Sequence, residues 1–245
     1  LDVLHRKGSI YSIAGQGHVL GAAFGIVMLG VAAFGLLSAA QLHLCVGHVG
    51  AASIALLVLY AAAIRTVYHY ERESRAAGAS SSSPPALTLR AAVWRYAAAA
   101  AAVVGAGLWL PFAAEGVATT MGWSHSFVGT LLVAMATTLP ELTVTITAVR
   151  IGALDMAIGN LVGSNLFNLA LLGIDDIFYV DGPLFAAVTP AHALSAAAAS
   201  VMAGALIVAL VARPQARLLN AVGWTSVLLA LVYFVNAWLH FRHEA

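Results

Sequence analysis

Charge is what this sequence has least of. Only 9% of its 245 residues are Asp, Glu, Lys or Arg, while 62% are hydrophobic and the mean hydropathy is +0.93. Soluble domains carry about a quarter charged residues, so this balance excludes a soluble globular protein and predicts an integral membrane protein. Acidic and basic residues nearly cancel, to a formal +1, and no basic cluster alternates with aromatics, which removes support for a nucleic-acid partner. Cys45 is the only cysteine, so no disulfide can form within the chain. The nine histidines contain no HExxH pair or tight ligand cluster, which argues against a zinc hydrolase. No nucleophile and base stand at helical spacing, which argues against an intramembrane hydrolase; no enzyme chemistry and no cofactor is indicated. Position 1 is Leu rather than Met, and no charged segment leads into an apolar core, so no signal peptide is visible. The expectation is a chain whose true N-terminus lies upstream.

What the sequence has instead is a series of apolar runs about twenty residues long, the length that crosses the hydrocarbon core of a bilayer as a helix. They fall at 18–37, 49–67, 93–114, 127–149, 153–173, 190–212 and 220–241, which predicts an all-α, polytopic membrane protein with seven transmembrane helices. Pro190 stands at the first turn of the sixth run. A Ser/Pro-rich stretch, 70–90, reads as a solvated linker between the second and third. With the segment carrying Arg6 and Lys7 in the cytoplasm, the linker arginines, Arg150, Arg213 and Arg217 fall on the same side. Glu115, Asp175, Asp176 and Asp181 fall on the other, and only Arg242 is misplaced. The positive-inside rule therefore predicts a cytoplasmic N-terminal end and an external C-terminus. Trp109, Trp123, Trp224 and Trp238 near span ends read as interfacial belt residues.

The chain also repeats itself. Placing 1–23 over 175–197, a shift of 174 without a gap, pairs Asp2 with Asp176, Gly8 with Gly182, His18 with His192 and Leu20 with Leu194. The match continues through Val27/Val201, Met28/Met202 and Gly30/Gly204, and after a one-residue slip through Gly50/Gly223, Ser53/Ser226 and Tyr60/Tyr233. The predicted topology turns one copy upside down relative to the other. Inverted-topology repeats mark secondary transporters whose substrate sites lie at the repeat interface near the midplane. Chance likeness between Ala/Gly/Leu-rich spans is the alternative. Carrying 129–173 back by the same shift lands before Leu1, so a counterpart of that stretch is expected upstream. The domain organisation follows: 1–69 as the C-terminal part of a first repeat, 70–90 as a cytoplasmic linker, and 91–245 as the second repeat.

Within 129–173, two apolar helices joined by a tight turn carry polar residues at mid-membrane depth. Thr137, Thr138, Pro140 and Glu141 interrupt the first; Asn160, Ser164 and Asn168 recur every fourth residue on one face of the second. Burying an acid, hydroxyls and amides in lipid is expensive, so they form a functional-site hypothesis by default. Pro140 has no amide hydrogen, so the carbonyl of Ala136 loses its helical partner and the backbone is expected to open there. That carbonyl, the Thr137 hydroxyl and the Glu141 carboxylate make an all-oxygen set, the ligand type that suits Ca2+ or Na+. Gly159 and Gly163 offer a small-xxx-small face for close helix approach. The bland alternatives are a simple proline kink, hydroxyls bonded back to their own helix, and glycines serving packing alone. Asp155 heads its helix, where it complements the dipole or pairs with Arg150. His18 and His192 read as interfacial anchors. Asp175, Asp176 and Asp181 either gather cations at the outer mouth or form an ordinary acidic loop.

At these residues the sequence resembles the cation/calcium exchanger superfamily, in particular its prokaryotic sodium/calcium exchanger branch. The resemblance is carried by Gly129-Thr130, by Ala136-Thr137-Thr138-Leu139-Pro140-Glu141-Leu142, by Gly152 and Asp155, and by Gly159-Asn160, Gly163-Ser164-Asn165 and Asn168. It implies ten helices in two inverted halves, of which this chain holds the last two of half one and all five of half two, without the first alpha-repeat that completes the ion site. It implies a secondary active antiporter of the prokaryotic inner membrane that exchanges Ca2+ for Na+ by alternating access. Ion-binding roles then fall on Glu141, on Thr137 and Thr138 with nearby carbonyls, and on Ser164 and Asn168, with Asn160 on the same face. Some members carry Asp where this chain has Asn168, which bears on the charge of the site. Proton-coupled members carry a second acid and a His after the Gly-Asn pair, where this chain has Leu161-Val162-Gly163-Ser164-Asn165; that favours sodium. A proton-coupled cation exchanger, and a fragment that transports nothing, are the alternatives.

Overall fold

The computed structural model describes residues 15–39, 44–77, 88–122, 128–190, 192–213, 217–218 and 222–244. Expectations resting on Asp2, Arg6, Lys7, Gly8, His43, Trp123, His125 and the 78–87 part of the Ser/Pro-rich stretch lie outside these residues. Among the described residues the secondary structure is helical apart from two short hairpins. In chain order it comprises α1 (Gln16–Ser38), β1 (Cys45–Val46), β2 (Val49–Gly50), α2 (Ala51–Ala77), α3 (Leu89–Met121), a π-helical turn (Val128–Val133), α4 (Ala134–Arg150), α5 (Leu154–Phe178), α6 (Leu184–Ala187), α7 (His192–Ala212), β3 (Arg217–Leu218), β4 (Val222–Gly223) and α8 (Trp224–Glu244). Five of these helices, α1, α2, α3, α5 and α7, are long and apolar enough to cross a membrane. The apolar part of α8 is shorter, and α4 has 17 residues preceded by the six of the π-helical turn.

Two compact units divide the chain, one of 78–143 and one of 1–77 with 144–245. In the smaller unit α3 packs against the π-helical turn. Thr88 caps α3, its hydroxyl accepting the amide of Ala91, and the helix presents Val93, Trp94, Val104, Leu108, Trp109 and Phe112 outward, the surface a lipid-facing helix needs.

The larger unit is built around α1. Its buried residues, Gly17, His18, Gly21, Ala22, Gly25, Met28, Ala32, Gly35 and Leu36, recur at helical spacing and so form one stripe of mostly small side chains. Small residues let backbones approach closely in a membrane, where packing rather than water exclusion drives association. α1 accordingly packs on α7, α2 and α5. A Cβ on Gly21 would stand 2.7 Å from Val162 of α5, and one on Gly35 would stand 2.6 Å from the Cβ of Ala52 on α2. Gly173 does the same for α5 against α2, where a Cβ would meet Leu57 and the Ser53 carbonyl at 2.8 Å. Met28, Ala32, Leu36, Leu56, Ala63, Leu166 and Phe185 fill the main cluster between α1, α2, α5 and α6.

The same order, helix then two-stranded hairpin then helix, occurs twice in this unit. Antiparallel β1 and β2 lead into α2; β3 and β4 lead into α8. Asp176, near the end of α5, is fully buried: one carboxylate oxygen accepts the amide of Gly50 at 2.7 Å and the other accepts the amide of Leu184. Asp176 therefore does not gather cations at a loop. It ties the first hairpin and α6 to α5, while Asp175 and Asp181 are exposed.

Candidate functional site

A tight turn joins α4 to α5, the two helices that carry the expected polar residues. Arg150 ends α4 and Leu154 begins α5. Gly152 adopts φ +78 between them, a conformation that favours glycine, and the amide of Ala153 closes the turn on the carbonyl of Ala148 at 2.8 Å. Ala148 and Val149 pack against Leu154 and Ala157 beside the turn.

Pro140 corrects an expectation. The backbone does not open there: α4 runs unbroken from Ala134 to Arg150 with Pro140 inside it, and the irregular geometry lies upstream in Val128–Val133. A single proline removes one backbone hydrogen bond while the rest of the helix keeps its own, and threonine hydroxyls bond to carbonyls on either side of it. Thr137 Oγ1 donates to the carbonyl of Val133 at 3.0 Å, and Thr143 Oγ1 donates to that of Leu139 at 2.8 Å, so carbonyls on both sides of the proline gain extra partners. Threonine hydroxyls and local π geometry are the devices by which apolar helices tolerate proline. Glu141 follows on the next turn, half-buried, with Thr137 and Thr138 exposed.

On α5 the three expected residues take different roles. Asn160 Nδ2 donates to Thr145 Oγ1 at 3.0 Å, and Thr145 is buried. Ser164 Oγ donates to the Leu161 carbonyl of its own helix at 3.1 Å. Asn168 is exposed and, with Asn165, lines a cavity of about 580 Å³ bounded by α1, α5, α7 and α8; the Ser226 hydroxyl is its other polar group and the remaining walls are apolar. These bonds have a common chemical sense. A hydroxyl that donates its proton to a carbonyl keeps its lone pairs, and an amide that spends its NH2 keeps its carbonyl oxygen, so both remain acceptors. Oxygen acceptors are the ligand type that suits a hard cation. Among the described residues no group of three or more His, Cys, Asp and Glu side chains comes together, so a thiolate or imidazole centre has no support there.

Two participants escaped the sequence reading. Thr145 is one: it stands four residues after Glu141 and eight after Thr137, so a four-residue spacing on α4 mirrors the one on α5, and that spacing was the available signal. The other is His18. It is buried, with Nε2 2.7 Å from Asp155 Oδ1, and the same oxygen accepts the amide of Gly15 at 3.2 Å. Asp155 thus meets the start of α1. The repeat-related His192 is exposed, so the pair does not share one environment. Of the two small residues on α5, Gly159 accommodates the His18 ring, 3.3 Å from where a Cβ would stand, whereas Gly163 borders open space.

Residues 91–242 match the sodium/calcium exchanger protein family. A sodium/calcium exchanger of Methanosarcina acetivorans, MaX1, is 43% identical over 83 residues, which cover 33% of this chain and 23% of that protein. The Alkalimonas amylolytica protein named "Putative antiporter CaxA" is 36% identical over 91 residues, covering 37% of this chain and 28% of its own length. The matched stretch thus spans about a quarter of each relative. No solved structure matches the chain.

Proposed function

The chain belongs to the sodium/calcium exchanger protein family, and from that premise we propose that it works as part of a membrane-embedded cation antiporter that exchanges Ca2+ for Na+ by alternating access. Glu141 is the charged ligand, alternately neutralising Ca2+ and Na+. Thr137, Thr138, Asn160, Ser164 and Asn168 add neutral oxygens from the same helix pair. The observation that carries this reading is the coexistence on α4 and α5 of one half-buried acid and oxygen-bearing side chains at four-residue spacing within apolar helices. A family of exchangers implies transport rather than an enzyme reaction, and the ions are cargo.

The twofold helix–hairpin–helix order, 174 residues apart along α1 and α7, supports an inverted repeat in which 1–69 ends one half, 70–90 links, and 91–245 forms the other. In that architecture α4 and α8 join the five long helices as spans, giving seven, and 129–173 supplies one half of a site whose other half is a second such repeat. Loop charge supports an inner-membrane orientation with the N-terminal end cytoplasmic and the C-terminus outside. Sodium is favoured over protons because Leu161-Val162-Gly163-Ser164-Asn165 offers no second acid or histidine after Asn160.

The experiment is cation flux in proteoliposomes containing the full-length protein. An imposed sodium gradient drives Ca2+ movement in this reading. Flux driven by a pH gradient alone assigns proton coupling, and flux driven by neither refutes antiport.

A further inference from the structure

His18 is a histidine in the first turns of a membrane helix, yet its side chain is only 7% exposed while its partner Asp155 is 63% exposed. The buried ring is therefore held by contacts along its length. At Nε2 it meets Asp155 in the first turn of α5; at Cε1 it fills the notch left by Gly159, one turn further along the same helix face. Gly159 adjoins Asn160, which Thr145 holds from the side of α4. The other groups near this end are Glu71 and Tyr70 of α2 beside Gly17, the Tyr70 hydroxyl donating to Gln16, and Arg213, which borders the same groove as Gly15 and Gln16.

We propose that His18 is a positioning residue for the polar face of α5, acting through Asp155 and Gly159 on Asn160. Asp155 and Gly159 are four residues apart and so lie one above the other on α5. A ring bonded to the first and seated on the second fixes the rotation of α5 about its own axis. Asn160, Ser164 and Asn168 share one face, so a single rotation moves all three donors together. This is the logic by which outer-shell partners orient the ligands of a bound ion. The proposal rests on reading that face as cation-binding.

The test compares wild type, His18→Ala and His18→Gln in the full-length protein. His18→Ala raises the half-saturating cation concentration by roughly tenfold with the maximal rate little changed, and His18→Gln, which returns a side-chain N–H and much of the bulk, recovers most of that loss. Unchanged half-saturation in His18→Ala, or equal impairment in both variants, overturns it. Asp155→Asn, which keeps the shape and loses the charge, carries the expectation of the alanine variant where that protein does not reach the membrane. A second readout needs no ion. In a background with Cys45→Ser and every other cysteine of the full-length protein replaced, thiol labelling of Asn168→Cys changes several-fold with His18→Ala and returns with His18→Gln; equal rates in all three refute the positioning role. A wild type that moves no cations refutes the antiporter reading alone.

Discussion

Replacing Asp176 by alanine removes both acceptors of a fully buried carboxylate at once. The amides of Gly50 and Leu184 then lose their acceptor. Each stranded buried donor costs about 1–3 kcal/mol, so Asp176→Ala is expected to destabilise the larger unit by about 2–6 kcal/mol. At about 2–4 °C per kcal/mol for a chain of this size, the melting temperature falls by roughly 5–20 °C. Asp176→Asn keeps one acceptor and turns an NH2 toward the other amide, so about half of that loss follows. Asp175 and Asp181 are exposed acids of the same segment, and Asn at either one changes stability by no more than about 0.5 kcal/mol. The assay is thermal unfolding of the detergent-solubilised protein followed by fluorescence. A melting temperature within about 2 °C of wild type for Asp176→Ala, or an equal loss for Asp175→Asn, refutes the clamp.

Three further outcomes follow from the same packing and chemistry. Gly21→Ala drives a methyl to 2.7 Å from Val162 and costs about 1–3 kcal/mol in thermal unfolding; adding Val162→Ala recovers most of it, and no recovery means the clash lies elsewhere. A double-mutant cycle on Asn160→Ala and Thr145→Val gives a coupling energy of about 0.6 kcal/mol, the mean for hydrogen bonds between membrane helices, and no more than about 1.7 kcal/mol; zero coupling removes the bond between α4 and α5. In proteoliposomes a sodium gradient drives 45Ca2+ flux and a pH gradient alone does not, the reverse result assigning proton coupling.

The helices were legible because a lipid-facing helix writes its length directly into the sequence as an apolar run. The expected runs 18–37, 153–173 and 190–212 fall within a few residues of α1, α5 and α7. Ends were read less well where charge continues a helix into water. α2 runs to Ala77 through Arg65, Glu71, Arg72 and Glu73, and α3 spans Leu89–Met121 rather than 93–114, because Arg and Glu are good helix formers once solvated. The polar spacing on α5 was visible as period four. The break at Pro140 was misjudged because a missing amide is a local fact, whereas whether the helix continues past it depends on the bonds that its other residues keep. His18 with Asp155, and Asp176 with Gly50, join residues more than a hundred positions apart. Nothing in either local sequence names the partner, and each carboxylate reads equally well as a loop or helix-end charge until the fold brings the other element to it.

Antiport by a site centred on Glu141 is tested most directly by sodium-gradient-driven 45Ca2+ uptake into vesicles containing the full-length protein, wild type beside Glu141→Gln. The substitution keeps the shape of the side chain and removes the one formal charge among the proposed ligands. Uptake falls to the level of protein-free vesicles if Glu141 neutralises the transported cation. Glu141→Gln carrying Ca2+ at the wild-type rate contradicts the assignment.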